Sequence, residues 1–191
     1  MGHSVRQPRR LTFPVPLTIG VIADTHIYAR GRRRLPAALP DLFRRFGVGL
    51  VLHAGDVNAI HVLEDLSGIA PLLVVAGNND GDDVLAIAPQ ELSFVVGGHR
   101  FVLVHGHGGA SARAEARRRA GPGIACVVYG HSHIPMIEKV DDTILFNPGS
   151  ATDRRWQEHF GVGLLYVIEK KVEPELVLYS DARDLGRVDP D

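Results

Sequence analysis

Three short runs in the first half of the chain are apolar and carry no charge: Leu17 to Ala23 (LTIGVIA), Leu50 to His53 (LVLH) and Leu72 to Ala76 (LLVVA). Uncharged, β-branched runs of this length suit strands buried on both faces. Between them the apolar period changes. Leu35, Leu39, Leu42, Phe43 and Phe46, then Ile60, Leu63 and Leu66, follow the spacing of one helix face. Strands and helices alternating in this way predict βαβ units and a parallel sheet. The second half reads differently. Leu92 to Val96 and Arg100 to His105 flank Gly97-Gly98-His99, a hairpin signal. Residues 110–120 (ASARAEARRRA) predict an Arg-rich helix. Cys126 to Tyr129, Met136 to Val140, Thr143 to Phe146, Val162 to Ile168 and Val172 to Tyr179 are strand-like and mostly joined by short turns. The expectation is a parallel half followed by a largely antiparallel one. A flexible tail covers residues 1–15, one domain covers 16–180, and a polar tail covers 181–191.

Composition narrows the class. The chain has 191 residues, 45% of them hydrophobic, with 21 basic and 22 acidic side chains for a formal charge of −1. That balance argues against a cationic binder of nucleic-acid duplexes or a polybasic membrane protein. With Cys126 alone, no intramolecular disulfide and no thiolate-based zinc site can form, in keeping with a reducing compartment. Leu11 to Ala23 is too short to span a bilayer. Arg9-Arg10 before it faintly suggests a twin-arginine signal, but no small-residue cleavage site precedes Asp24. The reading is a cytoplasmic protein. Phe101, Trp156, Phe160 and Tyr179 belong either to a core or to an interface in a homo-oligomer.

The ten histidines change the picture. Each strand-like run of the first half stops at chemistry-bearing residues: Asp24-Thr25-His26, His53-Ala54-Gly55-Asp56 and Gly77-Asn78-Asn79-Asp80. Two later runs stop at His105-Gly106-His107 and Gly130-His131-Ser132-His133. In a parallel sheet the carboxyl ends of the strands share one rim, where ligands bind. In extended backbone, residues i and i+2 point the same way, about 6–7 Å apart. Asp24 with His26, and His131 with His133, are therefore pairs that can face one cavity. Imidazole, carboxylate and amide donors without thiolate suit a hard or borderline divalent ion, namely manganese, iron, zinc or nickel. The donors are too many for one ion. Two ions roughly 3.5–4 Å apart, bridged by one carboxylate, would use them all. Any one of these motifs alone is an ordinary turn or a structural histidine. Five in order, each at the end of a run, are not.

This series, followed by Asn147-Pro148-Gly149-Ser150, resembles the calcineurin-like metallophosphoesterases, and its length and Asn-Asn-Asp variant are most similar to their small prokaryotic YfcE-like phosphodiesterase branch. The resemblance spans residues 17–180. It implies an α/β fold of two facing mixed β-sheets flanked by helices, a four-layer sandwich with the metal site at the strand carboxyl ends. It also implies two divalent metal ions, manganese foremost, with nickel, zinc or iron as alternatives. One would be held by Asp24, His26, Asp56 and His133, the other by Asp56, Asn78, His105 and His131, with Asp56 bridging. The implied reaction is phosphodiester hydrolysis by in-line attack of a hydroxide between the metals on a small phosphorylated substrate. The residue after the ligand Asn, usually His in the larger family, is Asn79 here, and an amide cannot protonate a leaving alkoxide. His107 is the nearest substitute by sequence, and reads equally as a rim histidine. The competing reading is a Vps29-like protein-interaction scaffold with an impaired site, against which the intact ligand set counts. Arg30 and Arg32 to Arg34 either clamp an anion at the rim or form a solvated face, as Arg113 and Arg117 to Arg119 do.

Overall fold

A computed structural model describes residues 11–190. The chain opens with β1 (Thr12–Phe13) and β2 (Leu17–Ile22), then α1 (Leu39–Arg45), β3 (Val48–His53), α2 (Ile60–Ser67), β4 (Leu72–Val74) and a one-turn α3 (Asp82–Leu85). The hairpin β5 (Glu91–Val96) and β6 (His99–Val104) leads to α4 (Ala112–Arg117), β7 (Ile124–Val128), β8 (Met136–Val140), β9 (Thr143–Asn147), β10 (Phe160–Ile168) and β11 (Lys171–Tyr179). They form two mixed sheets, one of six strands in the order β1-β5-β6-β7-β9-β8 and one of five in the order β11-β10-β2-β3-β4.

The uncharged runs serve two cores at once, because successive side chains of a strand point to opposite faces. Ile19, Val21, Leu50, Leu52 and Leu73 of the five-stranded sheet meet Phe94, Phe101, Leu103, Cys126, Val128 and Phe146 of the other. The alternate residues Ile22 and Val51 turn outward, onto Leu39, Phe43, Leu63 and Leu66 of α1 and α2. On the far side, Val102, Val104 and Val127 pack against Ala112 and Ala116 of α4. The result is the expected four-layer sandwich: helices, sheet, sheet, helix.

Strands β2, β3 and β4 are parallel, as their βαβ pattern requires. The second half is largely antiparallel, as expected, in the pairs β5-β6, β8-β9 and β10-β11, with one exception. Strands β6, β7 and β9 run parallel to one another, since α4 lies between β6 and β7 and returns the chain in the same direction. Helix α4 spans residues 112–117 rather than 110–120, and its guanidinium groups are paired rather than merely solvated: Arg113 and Arg117 with Glu138, Arg118 with Glu115, and Arg119 with Glu91 and Glu115.

Both tails need correction. Residues 1–10 lie outside the described residues, but Thr12 and Phe13 pair in parallel with Val95 and Val96. At the other end, residues 182–187 form a 3-10 helix capped by Asp181, with Leu185 in the core and its carbonyl accepting from Arg45 at 2.7 Å. Of the open aromatics, Phe101 and Tyr179 are core and Trp156 is solvated.

Helix α1 sits directly on β2 because Gly20 has no side chain: a Cβ there would lie 2.7 Å from the Phe43 ring. Gly20→Ala should therefore cost about 1–3 kcal/mol of stability by overpacking. Urea unfolding would measure this, and a loss below about half a kcal/mol would mean that α1 is free to shift.

Candidate metal centre

Strands β2, β3, β4, β6 and β7 deliver their carboxyl ends to one edge of the seam between the sheets. Asp24 and His26 follow β2, Asp56 follows β3, and Asn78 and Asn79 follow β4. From the opposite sheet, His105 and His107 follow β6, while His131 and His133 follow β7. The loops are knitted backbone to backbone, with Asp24 N–H donating to Gly55 O, His26 N–H to Asp56 O and Gly130 N–H to His105 O, each at 3.0 Å.

The donors fall into two groups whose ligand atoms lie within 4.8 Å of one another: Asp24, His26 and His133, and Asp56, His105 and His131. In the first, His26 Nε2 lies 3.2 Å from His133 Nε2, and His133 Nε2 lies 3.6 Å from Asp24 Oδ1. In the second, His105 Nε2 lies 3.3 Å from Asp56 Oδ2 and 3.2 Å from Asn78 Oδ1. Asp56 Oδ2 is also 3.5 Å from His26 Nε2. That carboxylate stands within reach of both groups.

The i, i+2 argument needs correction. Asp24, His26, Asp56, His131 and His133 all have left-handed backbone, with φ between 45° and 66°, so they are not continuations of their strands. The tight loops turn Asp24 and His26 into the same group but send His131 and His133 to different ones.

Packing dictates the glycines beside the donors. A Cβ on Gly55, whose φ is +87°, would stand 2.6 Å from His105 Nδ1. One on Gly130 would stand 2.8 Å from Asp24 Oδ2. Bare backbone lets the donors crowd together.

Hydrogen bonds aim the rings. His105 Nδ1 donates to Ala54 O at 2.7 Å, and His133 Nδ1 donates to Asp153 O. Each bond fixes the tautomer that leaves an Nε2 lone pair facing the centre. Burial, the main cause, lowers the pKa of His26 and takes that of His133 down to about 4, so both rings stay neutral. With both rings neutral, His26 donates its Nε2 proton to the His133 Nε2 lone pair at 3.2 Å, and a cation replacing that proton would be met by both nitrogens and the carboxylate beside them. The donor set fits a divalent cation at each group.

The two acids respond oppositely to the seam. Asp24 is fully buried, and desolvation pushes its pKa up to about 8, against the two contacts from His131 N–H at 2.9 and 3.1 Å. At Asp56 burial works in the same upward sense, yet His105 and Asn79 hold the carboxyl below its usual range. Asn79 donates to it twice, from its backbone N–H at 2.9 Å and from its amide at 2.8 Å. In this structure Asn79 thus braces Asp56. The His107 ring centre lies 5.4 Å from that of His105 and 6.3 Å from that of His131, and its Nδ1 has no partner among the described residues.

Beyond the donors, one support has no role assigned to it from the sequence. Asp80 accepts from the backbone N–H groups of Gly77, Asn58 and Asp56 at 2.7, 2.7 and 3.1 Å. Its place at the end of the Gly-Asn-Asn-Asp motif was the available signal. Ser150 Oγ donates to Asp24 O at 2.7 Å and Asn147 Nδ2 to Gly130 O at 2.9 Å, so the Asn147 to Ser150 loop braces the ligand loops. Arg33 donates to His26 O and pairs with Asp153 at 3.2 Å. His53 is buried against Thr25 Oγ1, while His99 bonds Ile168 O away from the centre.

Residues 17–170 match the family model described as the calcineurin-like phosphoesterase superfamily domain, and the chain belongs to that superfamily. It is 34% identical over 163 residues to a protein of Methanothermobacter thermautotrophicus named a probable metallophosphoesterase, covering 84% of this chain and 92% of that one. It is 28% identical over 152 residues to a phosphodiesterase of Methanocaldococcus jannaschii, covering 70% and 83%. Vps29 of Chaetomium thermophilum shares the fold, with a TM-score of 0.68 at 21% identity over 85% of this chain and 98% of that one. No helix among the described residues is long and apolar enough to cross a membrane.

Asp24 gives the site a signed pH dependence. The proton it holds in the folded, cation-free chain stabilises fully below about pH 4, and that contribution is lost as pH rises towards 8. A cation must displace this proton, so its affinity should weaken about tenfold per pH unit below about 8. Added manganese should accordingly raise the melting temperature more at pH 8 than at pH 5. Equal shifts at the two pH values would remove Asp24 from the binding reaction.

Proposed function

We propose that the protein is a dinuclear metal-dependent phosphodiesterase, acting on a small phosphorylated substrate by in-line attack of water at phosphorus. The observation that carries this reading is the Asp56 carboxylate, 3.5 Å from His26 Nε2 and 3.3 Å from His105 Nε2, the one acid among the described residues that pairs with histidines of both donor groups. Asp24, His26, Asp56 and His133 would hold one ion. Asp56, Asn78, His105 and His131 would hold the second. Bound there, two divalent cations, manganese foremost, supply Lewis acidity that acidifies water and neutralises charge on the phosphoryl oxygens.

The side chains do the positioning. His105 and His133 keep their Nε2 lone pairs forward because their Nδ1 protons are held by carbonyls. Asn79 fixes the plane of Asp56 with two donors, so that the shared oxygen serves both groups. Proton delivery to the leaving group falls to His107, which stands at the rim with an uncommitted Nδ1. Burial, the main cause, lowers its pKa, so near neutral pH it is mostly unprotonated. Good leaving groups suit this site. A relative that bears the name phosphodiesterase supports the diester over the monoester.

Metal-stripped protein reconstituted in turn with manganese, nickel, zinc or magnesium should hydrolyse bis-(p-nitrophenyl) phosphate with at least one of them. Asp56→Asn should reduce this activity by more than roughly a hundredfold, beyond what loss of an outer support costs. Two cations bound with no turnover under any metal would leave the scaffold reading in its place.

Leaving-group dependence tests the proton donor. Aryl diesters should be cleaved much faster than alkyl diesters, and His107→Ala should slow alkyl substrates more than aryl ones. Equal effects of His107→Ala on both substrate types would remove His107 from the reaction.

A further inference from the structure

The loop between β9 and β10 is anchored on the metal centre and then turns away to end in an exposed aromatic. Thr152 Oγ1 donates to Thr25 O, Asp153 O accepts from His133, and Asp153 N–H donates to Ser150 Oγ at 2.8 Å. Residues 150–153 are thereby tied to the Asp24, His26 and His133 group, through the Asp24 and Thr25 carbonyls and the His133 ring. The next four residues form a closed turn in which Gln157 N–H donates to Arg154 O at 2.8 Å. The Arg154 guanidinium donates to Gln157 O and Glu158 O at 3.1 and 2.6 Å and lies 5.5 Å over the Phe160 ring. It holds the turn from beneath.

Arg155 and Trp156 occupy the apex. Arg155 has left-handed backbone, φ 49°, a strained conformation for a long side chain. Among the described residues it makes no hydrogen bond or ion pair. It stands two positions after Asp153, whose carbonyl accepts from the His133 ring and whose carboxylate pairs with Arg33 at 3.2 Å. Trp156 is the only tryptophan and is 97% exposed. Together the two line an open depression of about 230 Å3. A fully solvated indole has no structural use at a turn already closed by Arg154. A rigid π-surface beside a free guanidinium, on a loop fixed to a phosphate-handling centre, matches one ligand chemistry: a phosphate carrying a flat base.

We infer that Arg155 and Trp156 form a nucleotide-recognition element, with Arg155 contacting the phosphate and Trp156 stacking on the base. This rests on the phosphodiesterase reading and deepens it by naming the substrate class, nucleotide diesters. Stacking of one base on an exposed aromatic changes affinity by roughly five- to hundredfold. The turn is rigid enough to offer that surface without an ordering cost.

Because Trp156 is the sole indole, its emission reports the contact directly. In the manganese-loaded full chain, adenosine 5′-monophosphate should quench that emission saturably. Ribose 5-phosphate, which lacks the base, should leave it unmoved. Arg155→Ala should weaken the adenosine monophosphate titration about tenfold while leaving the limiting quench intact. Trp156→Ala should raise KM for a nucleotide diester about tenfold without raising that for an alkyl diester, and Trp156→Phe should restore it. Emission unmoved by adenosine monophosphate, or moved equally by ribose 5-phosphate, overturns the inference. So does an emission that shifts only with protein concentration, which would assign the indole to contact between copies. Hydrolysis of bis-(p-nitrophenyl) phosphate by the same preparation separates the two claims. Intact cation-dependent turnover with a silent indole defeats the recognition element alone, and absent turnover defeats the phosphodiesterase reading.

Discussion

Two carboxylates buried at the seam between the sheets set the terms for everything around them. Removing a carboxylate from water costs several kcal/mol unless partners replace the lost hydration. Asp24 and Asp56 meet that cost differently. Asp56 is surrounded by donors, and its charge is held. Asp24 has only two contacts from one N–H beside the neutral His133 ring, and without a cation it keeps its proton. The inter-sheet core of aliphatic and aromatic side chains brings the two edges into register. Without that packing, Asp24 and His26 on one sheet would not meet His133 on the other.

The ligand loops are strained in a consistent way. Five of the seven proposed ligands have positive φ, and in non-glycine residues this costs on the order of 1–3 kcal/mol each. Aspartate and histidine tolerate this region better than most residues, so the chemistry required and the backbone required coincide. The strain persists because the loops are pinned from outside. Asp80 gathers three backbone N–H groups, Ser150 holds the Asp24 carbonyl, and Arg33 holds that of His26. These braces, more than the ligands themselves, define the shape of the centre.

The site was legible in the chain because each donor stands directly after an apolar run, and a run's end is easier to read than its partner strand. Asp24, Asp56, Asn78, His105 and His131 needed only that rule. What the rule could not carry was direction. Period-2 reasoning assumes extended backbone, and left-handed φ at His131 and His133 splits a pair that would otherwise share a face. At the larger scale direction failed only around β7, which is parallel to both its neighbours. Six residues of α4 suffice to return the chain parallel to β6, and short turns elsewhere suggested antiparallel pairing. The one-turn α3 is too short to show a period. The 3-10 helix near the carboxyl end, among polar residues, is announced only by the Asp181 cap and one buried leucine. Arg155 and Trp156 lie in a segment with no repeat, where placement comes from tethering to residues far away in the chain.

That tethering has a consequence for how the protein is made. Each donor group combines residues from opposite halves of the chain: the Asp24 carboxylate meets a backbone N–H 107 positions later, and His133 completes the group that Asp24 and His26 begin. A chain emerging from the ribosome exposes Asp24, His26 and Asp56 long before the imidazoles that complete them exist. Half-built groups of two or three oxygen and nitrogen donors hold transition metals weakly, and closing a loop of this length carries an entropic cost that only the assembled sheets offset. Cation capture would thus be deferred until the chain has been made through β10, the sheet partner of β2. The ion that enters is selected by the folded cage rather than by whichever metal first meets the nascent chain.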